Sequence, residues 1–318
     1  MSAHNTAIAL KIDEFVEYLE IEKGCSPLTV RNYRHYLLRF SNYLLEHTKK
    51  PVLESINNDN VRKYRVYLSR LPSDPHNPKS VPISRRTQGY HIIALRSFLR
   101  WLIKNDYPVM SPDKIDVPKV SDRQVKFLAG DQVDRLLNAP NQSNIYGKRD
   151  KAILEMLFST GLRVSELVSL DREKVDLTRR EFGVVGKGGK ARVVFLSSRA
   201  TEWLNGYLDA REDYFSPLFI RHKGKLDPST PDEAMRLSPR SVQRMIRKYS
   251  RQARLPIDAT PHVLRHSFAT DLLMAGADIR SVQEMLGHKN IQTTQIYTHV
   301  THKHLKEVHS AFHGKGGK

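Results

Sequence analysis

One cysteine, Cys25, stands in a chain of 318 residues. A lone thiol excludes an internal disulfide and fits a reducing cytoplasm. No apolar run approaches the ~20 residues that a membrane span needs, and the N-terminus lacks the apolar core of a signal peptide. Neither a membrane partner nor export is expected. The Walker pattern Gly-x4-Gly-Lys-Ser/Thr cannot be drawn anywhere, and His-Glu-x-x-His is missing too. Carboxylates are also scarce: 34 Asp+Glu face 52 Lys+Arg, a net charge of +18. Residues 1–120 carry 19 basic and 12 acidic side chains, and residues 121–318 carry 33 and 22. Both halves are therefore basic, which points to a polyanion gripped by both rather than by a single basic tail.

The length suits two domains of ordinary size. The first half reads as helices with short breaks. Ile8, Ile12, Phe15, Val16 and Leu19 fall on one helical stripe, and Gly24 stops it. Ser26-Pro27 reads as an N-cap and first helical position, opening a helix that runs to His47 with Arg31, Arg34 and Arg39 on its polar face. Asp59 is the expected cap of a third helix reaching Leu71, and residues 71–82, with four prolines, form a loop. A fourth helix covers about residues 84–105. Residues 111–125 have two prolines and no apolar period, so they read as a linker between domains spanning 1–110 and 126–318.

The second half begins with a short helix at 129–139, with Asp131 near its start, and a longer one from about 148 to 158. Thr160-Gly161 then breaks the chain before a helix holding Arg163 and Glu166. Residues 182–186 and 193–196 read as two strands joined by a Gly-rich turn, and the chain from 238 onward as helical.

Six side chains in this half suit one reaction. TGLRVSEL supplies Arg163, GKGGKAR supplies Lys187, TPHVLRHSFAT supplies His262 and Arg265, and LGHKNIQTTQIYTHV supplies His288 and Tyr297. A phosphodiester is anionic and its leaving alkoxide is poor, so cleavage needs cations at the non-bridging oxygens and an acid at the leaving oxygen. Arg163 and Arg265 fit the first need, since a guanidinium fork matches two phosphate oxygens. His262 and Arg265, three apart on one helix, can face one phosphate. Thr260-Pro261 caps that helix, whose N-terminal dipole attracts an anion. A lysine on the hairpin turn can swing in as the acid: Lys187, with Lys190 on the same turn as the alternative. Tyr297 is the candidate nucleophile, which would store the broken bond as a phosphotyrosyl ester, so no ATP site is needed.

This set, in this order, with three residues from His262 to Arg265 and nine from His288 to Tyr297, resembles the tyrosine recombinases, and most of all their Xer branch. The resemblance runs from about Ala7 to the C-terminus. It implies a mainly α fold: an all-α, SAM-like core-binding domain, then a mostly helical catalytic domain with a small antiparallel sheet. It also implies Lys187 as general acid, His262 assisting proton movement at Tyr297, His288 bonded to the scissile phosphate, and Glu166 as a buttress. Arg85, Arg86, Arg96 and Arg100 are the implied phosphate contacts of the core-binding domain.

The implied partner is duplex DNA with an inverted-repeat site. A homo- or heterotetramer would form on it, coupled by a tail helix docked into a neighbouring protomer. A second recombinase or a DNA translocase could join it, in the cytoplasm at the nucleoid. Neither cofactor nor metal is implied. Five C-terminal histidines (His299, His302, His304, His309 and His313) tempt a metal reading, but no cysteine accompanies them. Because the chain enters its first core-binding helix at once, no arm-binding domain is expected, which favours chromosome or plasmid dimer resolution over a phage or mobile-element integrase. A type IB topoisomerase, and a DNA-binding protein with an idle site, remain the alternatives.

Overall fold

The computed structural model describes residues 6–48, 51–118, 125–186, 189–222, 229–288 and 290–295. The chain divides into two compact units, Met1–Arg123 and Gln124–Lys318.

Among the described residues, four α-helices build the first unit: α1 (Ala7–Ile21), α2 (Pro27–His47), α3 (Asn58–Arg70) and α4 (Arg85–Lys104). Side-chain oxygens of Thr6, Ser26, Asn57 and Ser84 cap their N-termini by accepting backbone N–H groups that lack a helical partner. Asn57 therefore takes the place expected of Asp59. Its backbone is extended, as a cap requires, whereas Asp59 lies in the first turn and pairs with Arg62 and Lys63. The apolar stripes meet in a core of packed rings, with Phe15 and Phe98 at 5.5 Å between centroids and Phe40 edge-on to Tyr64 at 4.8 Å. The proline loop after α3 closes on itself: Ile83 N–H donates to the Leu71 carbonyl at 2.9 Å.

The segment read as a linker begins inside this unit. Ser111 caps a single turn, Pro112–Lys114, and Pro112 and Ile115 are buried, Ile115 within the same core. Val117 packs against that core beside it, and two apolar anchors in so short a strap are too few for a search for periodicity to register. Residues 119–124 lie outside the described residues.

In the second unit the helices are α5 (Gly130–Leu137), α6 (Ile145–Thr160), α7 (Val164–Val168), α8 (Ser198–Leu208), α9 (Asp232–Met235), α10 (Pro239–Gln252), α11 (Pro261–Met274), α12 (Ile279–Leu286) and α13 (Gln292–Gln295). Helix α6 is the axis of the core, with Ile153, Leu154, Met156 and Leu157 fully buried between α8 and α11. It starts three residues earlier than the periodicity suggests, because Asn144 accepts the N–H of Gly147 and sets the cap there.

Strands β1 (Glu181–Val185) and β2 (Ala191–Phe195) form an antiparallel hairpin with Val184 opposite Arg192. Alternation turns Phe182, Val184, Arg192 and Val194 to the protein side of the sheet. The fold is mainly helical with this one small sheet among the described residues, as the sequence implied. No helix among them is long and apolar enough to cross a membrane.

Candidate active site

Four of the six reactive side chains picked from the sequence lie among the described residues: Arg163, His262, Arg265 and His288. Lys187 and Tyr297 lie outside them, as do the five C-terminal histidines.

Arg265 is the hub. Its guanidinium is buried and donates to the Gly161 carbonyl at 2.6 Å and to the Leu286 carbonyl at 2.5 Å. Both carbonyls sit at helix C-termini, where the last turn leaves acceptors without helical partners. Both helices end the same way: Gly161 after α6 and Gly287 after α12 adopt left-handed conformations at φ +60° and +63°. At Gly161 the space is closed as well as the angle, since a Cβ would come within 2.4 Å of the Phe268 ring. One arginine thus ties α11 to the motif that carries Arg163 and to the motif that carries His288.

Arg163 does not lie within a helix, as expected from sequence, but caps one. Its backbone is extended at the start of α7, and Glu166 three residues on accepts its N–H at 2.9 Å and its guanidinium at 2.8 Å. Arg192, which sequence reasoning passed over, grips the same carboxylate with two bonds of 3.1 and 2.8 Å. Its Nε also donates to the Met285 carbonyl at 3.1 Å. Burial raises the pKa of Glu166, but the two arginines and the Arg163 N–H outweigh it and hold the carboxyl at about 2. It is ionised at any working pH.

His262 lies in the first turn of α11, whose cap is Thr260, with its oxygen accepting the Val263 N–H at 3.2 Å. His288 follows Gly287 directly. Its ring Nδ1 pairs with the hydroxyl of the buried Thr294 at 3.0 Å, and Gln283 donates to its carbonyl. Desolvation first, and then the guanidiniums of Arg265 and Arg163, lower the pKa of both histidines, and the net effect holds His288 at about 4. Two histidines feeling the same two cations is the electrostatic mark of one shared site. His266, one turn along α11 and not singled out from sequence, is also depressed to about 4, first by burial and then by His262 and Arg265. The result is a dense positive field with neutral imidazoles inside it, a place fitted to an anion.

The four arginines picked as phosphate contacts lie in the first unit and divide in two. Arg85 and Arg86 are exposed in the first turn of α4, where no acidic residue answers the helix dipole. Arg96 and Arg100 lean toward Asp113 at 3.3 and 3.9 Å. Arg39 escaped selection, yet the buried His91 holds it at 3.2 Å while its other ring nitrogen faces the Thr87 carbonyl at 2.9 Å. A carbonyl only accepts, so Nδ1 carries the proton and Nε2 accepts from Arg39. Among the described residues no three His, Cys, Asp or Glu side chains gather where they could hold a metal ion.

Residues 126–304 match the phage integrase family, and residues 12–106 match the phage integrase N-terminal SAM-like domain. The chain is 35% identical to the tyrosine recombinase XerC of Myxococcus xanthus, covering 97% of this chain and 99% of that protein. It is 34% identical to the tyrosine recombinase XerD of Staphylococcus aureus, covering 95% and 98%. In fold it is similar to the XerH site-specific recombinase bound to palindromic difH substrate, with a TM-score of 0.69 at 22% identity, covering 98% of this chain and 91% of that one. The chain belongs to the phage integrase family and is a tyrosine recombinase, an enzyme that cleaves and rejoins DNA.

Proposed function

We propose that this recombinase acts as a Xer-type resolvase of chromosome or plasmid dimers, on duplex DNA carrying an inverted-repeat site, and that its six reactive residues divide the work as follows. The Tyr297 hydroxyl attacks the scissile phosphorus, the bond to the 5′ oxygen breaks, and a 3′-phosphotyrosyl ester forms. Lys187 gives its proton to the departing 5′ oxygen. Arg163 and Arg265 neutralise the non-bridging oxygens as charge builds on them. His288 bonds the phosphate and His262 takes up the tyrosine proton, which a neutral imidazole can accept and an imidazolium cannot. A 5′ hydroxyl from the partner strand then reverses the steps, so both bonds are conserved without ATP. Residues 1–110 would serve as the core-binding domain and residues 126–318 as the catalytic domain. Four protomers, alike or of two kinds, would assemble on two sites.

The observation that carries this reading is the Arg265 guanidinium, which holds the Gly161 and Leu286 carbonyls and so draws the motifs of Arg163 and His288 to the helix that carries His262. Relatives named XerC and XerD, similar along nearly their full length, support the housekeeping role. The test is a nicked substrate from which the cleaved end diffuses away, trapping the covalent adduct. The wild-type chain should accumulate it and Tyr297→Phe should bind the site equally yet form none. Adducts persisting in that variant would remove Tyr297 from its role.

A further inference from the structure

Arg192 touches three separate pieces of the site. It lies on β2, two residues past Lys190, and grips Glu166, which in turn holds Arg163. Its Nε reaches the Met285 carbonyl near the end of α12, one turn before His288. A Cβ on Gly287 would meet the Arg192 side chain at 3.1 Å, and one on Gly186 would meet its guanidinium at 3.3 Å. Two glycines thus line the guanidinium, one at the start of the hairpin turn and one just before His288.

We propose that Arg192 is a positioning residue that sets the register of the hairpin turn, and hence of its acid lysine, against Arg163 and His288. The proposal rests on the recombinase reading above. The turn is closed by Gly186 N–H donating to the Lys190 carbonyl at 2.8 Å, so its base is fixed two residues from Arg192. A strand moves its side chains ~3.3 Å per residue, so a shift of the anchor carries directly into the turn. Arg163 has its own hold on Glu166 through a backbone and a side-chain bond. Loss of Arg192 therefore leaves Arg163 seated and loosens the lysine. Lysine cannot replace it, because a single ammonium cannot span two carboxylate oxygens and a carbonyl at once. Near the reacting atoms a misplacement of about 1 Å is enough to cost ~10²-fold in rate.

The experiment compares Arg192→Lys, Arg192→Gln and Lys187→Ala with the wild-type chain, on normal DNA and on DNA whose scissile 5′-bridging oxygen is sulfur. A thiolate leaves with far less help from an acid. Both Arg192 variants should cleave normal DNA ~10²-fold slower, bind the site like wild type, and recover to within about threefold of wild type on the sulfur substrate, by the same acid argument. The double variant Arg192→Lys, Lys187→Ala should be no slower on normal DNA than Lys187→Ala alone, since both act through one proton. Equal slowing on both substrates, additive losses in the double variant, or a wild-type rate on normal DNA would each overturn the proposal. Should one variant fold poorly, seen as a lowered melting temperature with lost site binding, the other and the double variant still decide it. Lys187→Ala separates the layers. Rescue there without rescue in the Arg192 variants removes only this proposal. Rescue of Lys190→Ala instead moves the acid along the same turn and leaves Arg192 its role. If neither lysine variant is rescued, the acid assignment and this proposal fail together, while trapping by Tyr297 still tests the recombinase reading.

Discussion

The Arg265 guanidinium donates to the Gly161 carbonyl at 2.6 Å, joining residues 104 apart in the chain. A side chain proposed to meet the phosphate is thus also one that closes the site. Arg265→Ala should then lose twice. Cleavage falls with the lost cation, and stability falls by ~1–3 kcal/mol for each buried carbonyl left unpaired. Arg163→Ala should separate these effects. Its side chain is only partly buried, and Glu166 keeps both bonds from Arg192 when it goes. Cleavage by Arg163→Ala should drop ~10²-fold or more with a small change in melting temperature. Equal destabilisation by the two variants would contradict this division.

Gly161→Ala offers a companion test. The left-handed backbone costs an alanine ~1–2 kcal/mol, and its Cβ would press on Phe268 at 2.4 Å. Because the displaced Gly161 carbonyl is the one that accepts from Arg265, the variant should lose cleavage as well as stability. Thermal melting and single-turnover cleavage, measured side by side, check it; a variant that is destabilised but fully active at low temperature would show that Arg265 does not depend on this anchor.

Much of this site was legible in the sequence because catalytic chemistry imposes residue types at fixed spacing. His262 and Arg265, three apart after a Thr-Pro cap, had to share the start of a helix. Other features were not legible, for a physical reason. Arg192 works through contacts with residues 26 and 93 positions away, which no local pattern records. The second strand was also read as starting two residues late, leaving Arg192 in the turn rather than on the protein face of β2. Arg163 reads as part of the helix that follows the Thr160-Gly161 break, yet Glu166 folds back on the Arg163 N–H and makes it a cap. Ile115 joined the first core with Val117 packed beside it, in a segment too short to show a period.

Acid should weaken the fold over two successive pH windows. His91, His222, His266 and His288 are held at about 4 in the folded chain, first by burial, against 6.5 ordinarily. The unfolded chain therefore takes up these protons first on acidification. Their contribution is fully present above about 6.5 and is lost as pH falls toward about 4. Glu166, at about 2 against 4.5, has the same sign in a lower window, so its ion pairs fail last. Urea unfolding across pH should show a flat midpoint above about 6.5 and a decline below it. His91→Gln should make that decline shallower by up to one proton. Stability that rises between pH about 6.5 and about 4 would mean these imidazoles are charged in the fold.

Asp113 supplies the test with an unusual sign. If the first unit grips the DNA backbone, Arg85 and Arg86, exposed and without a carboxylate partner among the described residues, are ready for phosphates. Arg96 and Arg100 are engaged with Asp113 at 3.3 and 3.9 Å. Each phosphate contact contributes ~0.9 to the slope of log affinity against log salt. Removing Arg85 and Arg86 together should lower affinity for every duplex and reduce that slope by ~2. Removing Arg96 and Arg100 should change it less, because the single carboxylate of Asp113 already answers part of their charge within the protein. Asp113→Ala should act oppositely, releasing both arginines and tightening binding with a steeper salt dependence. Binding isotherms at several salt concentrations read all three. If Asp113→Ala weakens binding and leaves the slope unchanged, Asp113 orders the strap at Pro112–Lys114 rather than competing with phosphate, and Arg96 and Arg100 are not backbone contacts.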